Sequence, residues 1–229
     1  IKKKNRKMFL RQLKQVNNYR TSISFLRCFS SDNNNIVKIS YDDLISDTVD
    51  LSDKIDEAYN YNGYGILAVY GIPDLQDKRK KLLKLGHEFA NLDKSIKDQY
   101  EHEPSYFSVG WSHGKELFQG KPDYSKGSWY ANPKVEEVTT DLDLITKYPS
   151  YFTPNIWPKE CQEMQIAFQT LGTLMMNTGL YIARHCDKLV KSQCDGYKAH
   201  TLEKILAESN VPKGRLLHYY PTNNIQQQH

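Results

Sequence analysis

The stretch Arg215-Leu-Leu-His-Tyr-Tyr-Pro221 decides how the rest of the chain is interpreted. It is apolar and aromatic, Gly214 precedes it and the proline closes it, which predicts a short buried strand. Side chains alternate between the two faces of a strand, so Leu216, His218 and Tyr220 are expected on one face. A buried imidazole and a buried phenol both need hydrogen-bond partners, because an unpaired polar group costs about 1–3 kcal/mol. The simplest interpretation is a core strand whose polar groups find partners within the fold.

Strand and helix patterns alternate upstream of this heptad, between residues 36 and 100. The pattern predicts a strand at 36–40, a helix at 51–61 that Asp50 caps, a buried strand at 65–70, a helix from Asp74 through Phe89, and a helix at 93–100. Such an alternation is typical of a small α/β unit.

The second half of the chain is predicted to be mainly helical before it reaches the heptad. An irregular connection is expected at 134–157, a long helix at 159–191 and a shorter helix at 199–209. Apolar residues recur every three or four positions in the long helix, which indicates a core-facing stripe. Between the two halves, residues 104–133 are rich in aromatic residues and punctuated by glycine, which predicts a long ordered loop; such loops are often functional.

The heptad resembles the Arg-x-x-Asn-Tyr-Tyr-Pro strand of the Fe(II)- and 2-oxoglutarate-dependent dioxygenases, in their isopenicillin-N-synthase-like branch. Gly63–Val69, Gly71-Ile72-Pro73, Phe89, and Leu92 with Lys97 also stand in that family's order. The resemblance implies an α/β fold, in which an N-terminal α/β unit and flanking helices lead into the beginning of a double-stranded β-helix, or jelly-roll, barrel that is incomplete in this chain. The corresponding domains are a basic segment and linker at 1–35, an α/β domain at 36–133 and an unfinished jelly-roll domain at 134–229.

The same resemblance implies an enzyme that oxidises an unknown small organic substrate with Fe(II), O₂ and 2-oxoglutarate. His218 occupies the family's Asn position and Tyr220 the second Tyr position, so both are expected to face the cosubstrate. Trp111, His113 and Tyr130 are expected to line the substrate entrance. The alternative for these three aromatic side chains is that they seal the N-terminal unit onto the barrel.

His185-Cys186-Asp187 reads as His-x-Asp, but it falls inside the predicted long helix. Residues two apart on a helix point about 200° apart, so this pair cannot share one metal ion. No iron ligand and no catalytic residue is identified in the sequence. The chain alone is therefore predicted to be inactive. It is also predicted to be poorly stable, because the strand at 215–220 lacks most of the barrel strands that it should pair with. A non-catalytic binding or scaffolding module is the alternative function.

Charge is distributed unevenly along the chain, whose net charge is +4. Residues 1–31 contain nine Lys or Arg and no acid, which leaves the remainder acidic and argues against a nucleic-acid surface. An arginine-rich, serine-containing, acid-free segment is typical of a mitochondrial transit peptide, with cleavage near Phe29–Ser31 and Met8 as a candidate start; a cytoplasmic protein with a basic arm is the alternative. The four cysteines lack CxxC spacing, and no apolar run is long enough for a membrane span.

Overall fold

The computed structural model describes residues 36–221, so the predicted transit segment lies outside the described residues. Its strands are β1 (Val37–Ser40), β2 (Leu67–Tyr70), β3 (Gly110–His113), β4 (Leu117–Phe118), β5 (Lys121–Pro122), β6 (Lys126–Ala131) and β7 (Gly214–Tyr219). Its α-helices are α1 (Tyr41–Ile45), α2 (Ser52–Tyr59), α3 (Leu75–Ala90), α4 (Lys94–Lys97), α5 (Leu142–Lys147), α6 (Pro149–Phe152), α7 (Met164–Gln193) and α8 (Thr201–Glu208). Between residues 36 and 221, no helix combines the length and apolarity that crossing a membrane requires.

The N-terminal unit is a parallel pair of strands joined through α1 and α2. β1 and β2 pair from Val37 opposite Leu67 to Ser40 opposite Tyr70. The prediction that Asp50 caps this helix was wrong, because the N-cap of α2 is Leu51, whose side chain makes no capping hydrogen bond. Asp50 lies one position earlier and accepts hydrogen bonds from the backbone and hydroxyl of Ser52, the first residue of the helix. The strand predicted at 65–70 is present as β2, but the prediction that it is buried was wrong, because Tyr70 is 58% exposed. β1 is the one partner of β2 within the described residues, so part of its surface faces solvent.

A second, three-stranded antiparallel sheet has the order β3-β6-β7. The long loop predicted at 104–133 was therefore wrong, since this segment contains two strands of that sheet and the small β4–β5 hairpin. The glycines that suggested a loop stand at the strand ends: Gly110 and Gly114 both have positive φ, a backbone conformation that glycine adopts without steric cost. Trp111 pairs with Trp129, which in turn pairs with Leu216.

One face of this sheet packs against α3 and α7 and forms the larger core. Phe89 meets Trp129 edge-to-face with ring centroids 4.8 Å apart, and Trp111 at 5.4 Å. Edge-to-face aromatic pairs are favourable beyond the area that they bury. The buried members of this core are Leu82, Phe89, Ala90, Tyr100, Trp111, Trp129, Ala131, Cys161, Met164, Ala167, Phe168, Leu171 and Leu216.

The helix α7 spans both cores, since its first turns enter the sheet core and its later turns pack on the N-terminal unit. The buried cluster of the N-terminal unit consists of Ile39, Leu44, Leu51 and Ile55. Four side chains of α7 pack against it, namely Tyr181, Ile182, Cys186 and Leu189. The predicted helix at 159–191 is thus confirmed, beginning after a 3₁₀ turn at Lys159–Cys161. The irregular connection predicted at 134–157 contains the two short helices α5 and α6.

The strand β7 has the predicted position and alternation. Leu216 is buried at 9% exposure, whereas Leu217 is 36% exposed and Tyr219 66% exposed. The prediction of a buried strand was therefore wrong for one of its faces. β7 is the outer strand of its sheet within the described part of the chain.

Candidate functional site

The candidate site lies where β7 ends against the last turn of α3. His218 pairs in register with Gly127 of β6, and this register places it on the sheet face that carries Trp129. The His218 ring lies 5.3 Å from the ring of His87 on α3 and 4.7 Å from that of Tyr220. Alternation along β7 therefore brings both cosubstrate candidates, His218 and Tyr220, to the same place.

Tyr220 is fixed by the end of α3. Its hydroxyl donates a hydrogen bond to the carbonyl of Ala90 at 2.9 Å, and the Lys97 ammonium donates to the same oxygen at 2.7 Å. The Lys97 Nζ lies 3.5 Å from the Tyr220 Oη. These contacts satisfy a carbonyl that the helix leaves without an intrahelical partner. Burial raises the pKa of Tyr220 to about 12, so the phenol stays protonated and can donate.

Two half-buried histidines in the site are biased towards the neutral form. Burial lowers the pKa of His218, and the nearby charges of His87, Lys97 and His113 lower it further. Burial also lowers the pKa of His113, against the opposing effect of its hydrogen bond to the Tyr124 carbonyl at 3.1 Å. Loss of water around an imidazolium is the dominant cause for both rings. At neutral pH both imidazoles are therefore available as uncharged donors and acceptors.

The opposite face of the sheet carries a network of charged groups. The Arg215 guanidinium contacts Glu116 at 2.5 Å and donates to the Ser128 hydroxyl. Lys126 contacts Glu116 at 2.9 Å, and the Tyr130 hydroxyl donates to the same carboxylate at 3.1 Å. The hydrogen bond from Lys126 is the main reason that the pKa of Glu116 falls below its usual value.

The structure places Trp111 and His113 on one face of the sheet and Tyr130 on the other, so it divides the three residues predicted at the substrate entrance. Trp111 is 3% exposed within the sheet core, whereas Tyr130 lies on the opposite, charged face. His113 joins the cosubstrate candidates, with its ring 4.9 Å from that of Tyr220. The structure therefore assembles His113, His218 and Tyr220, with the buried Trp111 ring 6.1 Å from that of His113, and it does not bring Tyr130 to that cluster.

Sequence reasoning missed His87 and Lys97 as neighbours of this cluster. Lys97 falls in the short helix predicted at 93–100, and His87 lies in α3. Nothing local to either residue signals that it will meet β7, which is more than 100 positions later in the chain. Only the packing of α3 across the sheet brings them together.

The residues of the His-x-Asp sequence have structural partners instead of a metal ion. The His185 Nε2 lies 2.9 Å from the carbonyl of Leu44 at the end of α1. Asp187 accepts hydrogen bonds from the backbone N–H groups of Leu202 and Glu203 in the first turn of α8, and from the Tyr197 hydroxyl. Among residues 36–221, no three His, Cys, Asp or Glu side chains are placed to hold a metal ion.

Comparison with known proteins adds a family and a set of solved folds. The family described as "non-haem dioxygenase in morphine synthesis N-terminal" matches residues 35–160, which is more than half of the chain. The comparison with curated proteins found no match.

Three solved structures are similar to this chain along most of its length. A putative 2OG-Fe(II) oxygenase family protein from Caulobacter crescentus has a TM-score of 0.61 at 18% identity, covering 82% of this chain and 57% of its own. JOX2, in complex with 2OG, Fe and JA, has a TM-score of 0.55 at 14% identity, covering 83% and 49%. A full-length protein from Neurospora crassa, in complex with alpha-KG, has a TM-score of 0.56 at 15% identity, covering 86% and 56%.

These similarities concern the fold, and they confirm the predicted fold class. The described strands do not close into a barrel, and the chain spans about half of the length of these three structures.

Proposed function

Because the chain belongs to the Fe(II)- and 2-oxoglutarate-dependent dioxygenase superfamily, through the N-terminal domain that residues 35–160 match, we propose that it is the N-terminal part of a non-haem iron oxygenase. The proposed reaction is oxidation of a small organic substrate with O₂ and 2-oxoglutarate. The match over more than half of the chain is the observation that carries the proposal, and the solved oxygenase folds support it.

Iron is not assigned to any residue described here. The facial set of two histidines and one carboxylate that binds Fe(II) in such enzymes needs three converging side chains, and no such set occurs within residues 36–221. The described residues therefore do not fit the metal, and we derive no chemical step through it. In the proposal the iron ligands lie outside residues 36–221.

His218 and Tyr220 are the proposed cosubstrate-facing pair, supported by their position beside Lys97 at the end of β7. Neutral imidazole N–H groups are donors that a carboxylate of 2-oxoglutarate can accept from, whereas the one O–H of Tyr220 is already donated to the Ala90 carbonyl. His113 and Tyr130 remain proposed substrate contacts. The burial of Trp111 supports its alternative role, in which it seals the sheet onto the helices.

Succinate release tests the proposed function. The chain is expressed with and without any polypeptide that its gene encodes beyond His229, each supplied with Fe(II) and 2-oxoglutarate. We expect 2-oxoglutarate-dependent succinate release from the longer protein and none from the 229-residue chain. Turnover by the shorter chain would contradict the proposed location of the iron ligands, and inactivity of both would favour a non-catalytic module.

Mitochondrial import of the intact protein is a further proposal, supported by the nine basic residues and the lack of acids in residues 1–31. Residues 1–31 fused to a fluorescent reporter should direct it to mitochondria, and a fusion with all nine basic residues replaced by Gln serves as the control. A diffuse signal from the unaltered fusion would contradict the proposal.

A further inference from the structure

The small hairpin of β4 and β5 is packed differently from the rest of the fold. Its strands pair as Leu117 with Pro122 and Phe118 with Lys121, and they form a sheet separate from β3-β6-β7. The Leu117 side chain is 70% exposed and that of Phe118 is 67% exposed. Within residues 36–221, neither hydrophobic core includes a side chain of this hairpin. Burial of apolar surface therefore does little to hold the hairpin in place.

The two ends of the hairpin meet at a glycine. Gly114 precedes β4 with a φ of +69°, and a Cβ at this position would lie 2.3 Å from a carbon of the Tyr124 ring, which follows β5. Only glycine allows this close approach. Lys115, the next residue, pairs with Glu101 at 2.8 Å and so anchors the base of the hairpin. The hairpin is therefore attached at one narrow point, about which it can rotate as a unit.

Charged contacts connect the hairpin to the sheet, and three of them meet at Glu116. Its carboxylate lies 2.5 Å from the Arg215 guanidinium of β7 and 2.9 Å from the Lys126 ammonium of β6. The Tyr130 hydroxyl donates to the same carboxylate at 3.1 Å. Ion pairs between partly exposed side chains are individually weak. The contacts of Glu116 can therefore form and break while the cores stay folded.

The base of the hairpin covers two hydroxyl groups on the polar face of the sheet. Ser112 of β3 and Ser128 of β6 are opposite each other in register, and they are 6% and 2% exposed. They line a small concavity whose other walls are Gly114, Lys115, Glu116, Asp123 and Lys126. In this conformation the concavity has no room for a water molecule. Solvent therefore reaches the two serines only when the residues above them move.

We propose that residues 115–122 are a lid over the polar face of the sheet, held closed by Glu116 and hinged at Gly114. Segments with few buried apolar contacts open at low free-energy cost, and lids of this kind move while the rest of the fold stays intact. Opening exposes the two serines and releases Arg215 and Tyr130 from the Glu116 carboxylate. The lid thereby controls access to Tyr130, and only the role of Tyr130 as a substrate contact rests on the proposed function.

Thiol labelling of the full chain measures how often the lid opens. Ser112→Cys is made in a chain whose native cysteines are replaced by serine, except Cys161, which is buried in the sheet core at 8% exposure. We expect the thiol at position 112 to react about tenfold faster than Cys161, and about tenfold slower than in the urea-unfolded chain. Equal rates at the two positions would overturn the proposal, because the covered face would then open only when the core unfolds. Reaction as fast as in the unfolded chain would also overturn it.

Glu116→Gln tests what holds the lid closed. The substitution keeps the size of the side chain and removes its charge, so labelling at position 112 should accelerate by about fivefold while Cys161 stays unchanged. Glu208→Gln, which removes an exposed ion pair with Lys204 in α8, should leave both rates unchanged. Equal effects of the two glutamine variants on position 112 would overturn the proposal.

A nitroxide on the hairpin supplies a second measurement that leaves the covered serines intact. Leu117→Cys carries the label at an exposed position, in a chain whose native cysteines are all replaced by serine. Glu116→Gln should increase the mobility of the label in its EPR spectrum, and so should added sodium chloride, which screens exposed charges. A spectrum that neither change alters would overturn the proposal. Because iron, 2-oxoglutarate and turnover do not enter these measurements, their failure is distinguishable from failure of the proposed function.

Discussion

Trp111 is the residue at which a packing role and a substrate role predict different outcomes. It is 3% exposed, and its ring contacts Phe89 and lies opposite Trp129 in the sheet. Truncation of such a side chain removes buried area and leaves a cavity, so Trp111→Ala should lower the free energy of unfolding by about 3–5 kcal/mol. Urea unfolding measures this loss. Phe118→Ala, at a side chain that is 67% exposed, is the control and should change stability by less than about 0.5 kcal/mol.

Asp187 should make the stability of the chain depend on acid pH. Burial acts to raise the pKa of its carboxyl, but the hydrogen bonds from Glu203, Tyr197 and Leu202 together hold the pKa below its usual value. A carboxyl whose pKa is lower in the folded state stabilises the fold above its unfolded pKa of about 3.9, and this contribution is lost as the pH falls through the folded pKa.

Asp187→Ala is expected to destabilise the chain by about 1–3 kcal/mol at pH 7, because the first-turn N–H groups of α8 lose their acceptor. Thermal unfolding of the variant and the original chain between pH 7 and pH 2.5 should show the difference narrowing below about pH 4. A difference that is constant over this range would contradict a role for the charge. Asp195→Ala, on the exposed turn after α7, is the control.

Alternation was sufficient to predict which residues of β7 share a face, but it could not predict what that face meets. Leu216, His218 and Tyr220 do lie on one side, since the register with β6 follows the pleat. His87 and Lys97 come from helices distant in sequence, and no local pattern encodes their approach. The helical spacing of His185 and Asp187 likewise excluded a shared metal ion, while their actual partners at Leu44 and Glu203 depend on tertiary packing.

At the scale of elements, the longer helices were predictable, whereas the four strands β3 to β6 and the short helices α5 and α6 were not. The long helix α7 carries a sustained stripe at helical spacing, which few other structures can accommodate. The sequence pattern did not predict β3 and β6, because glycines and polar residues stand between their aromatic residues, and such a composition is typical of loops. Their pairing becomes favourable only when Trp111 and Trp129 lie against Phe89.

Two glycines in different elements should respond to alanine in opposite directions. A Cβ on Gly127 of β6 would lie well inside the van der Waals distance of the Trp111 indole, whereas a Cβ on Gly179 of α7 would meet nothing within 4 Å. Gly127→Ala should therefore destabilise the chain by about 1–3 kcal/mol through overpacking. Gly179→Ala should stabilise it by about 0.5–1 kcal/mol, because alanine favours a helix interior. Chemical unfolding of both variants provides the comparison, and a stabilising Gly127→Ala would show that the indole moves freely.

At the scale of the whole molecule, α7 is the element that contributes side chains to both cores. Met164, Phe168 and Leu171 of its first half are buried in the sheet core, and Ile182 and Cys186 of its second half pack on the N-terminal unit. A helix forms cooperatively, so a continuous α7 should make the two cores unfold together. Coincident transitions reported by separate probes are the signature of such two-state behaviour.

A proline in the middle of α7 should make the sheet core and the N-terminal unit unfold at different urea concentrations. The probes are tryptophan fluorescence, since Trp111, Trp129 and Trp157 all belong to the sheet core, and thiol labelling of Cys186 in a variant whose other cysteines are replaced by serine. The two urea midpoints are expected to agree in that variant.

Gly179→Pro removes a helix hydrogen bond and adds a steric clash, at a cost of about 3 kcal/mol or more, and should expose Cys186 at lower urea than the tryptophans. Gly179→Ala controls for substitution at this position and should keep the midpoints together. Midpoints that already differ with α7 intact would show that the N-terminal unit and the sheet core are energetically independent.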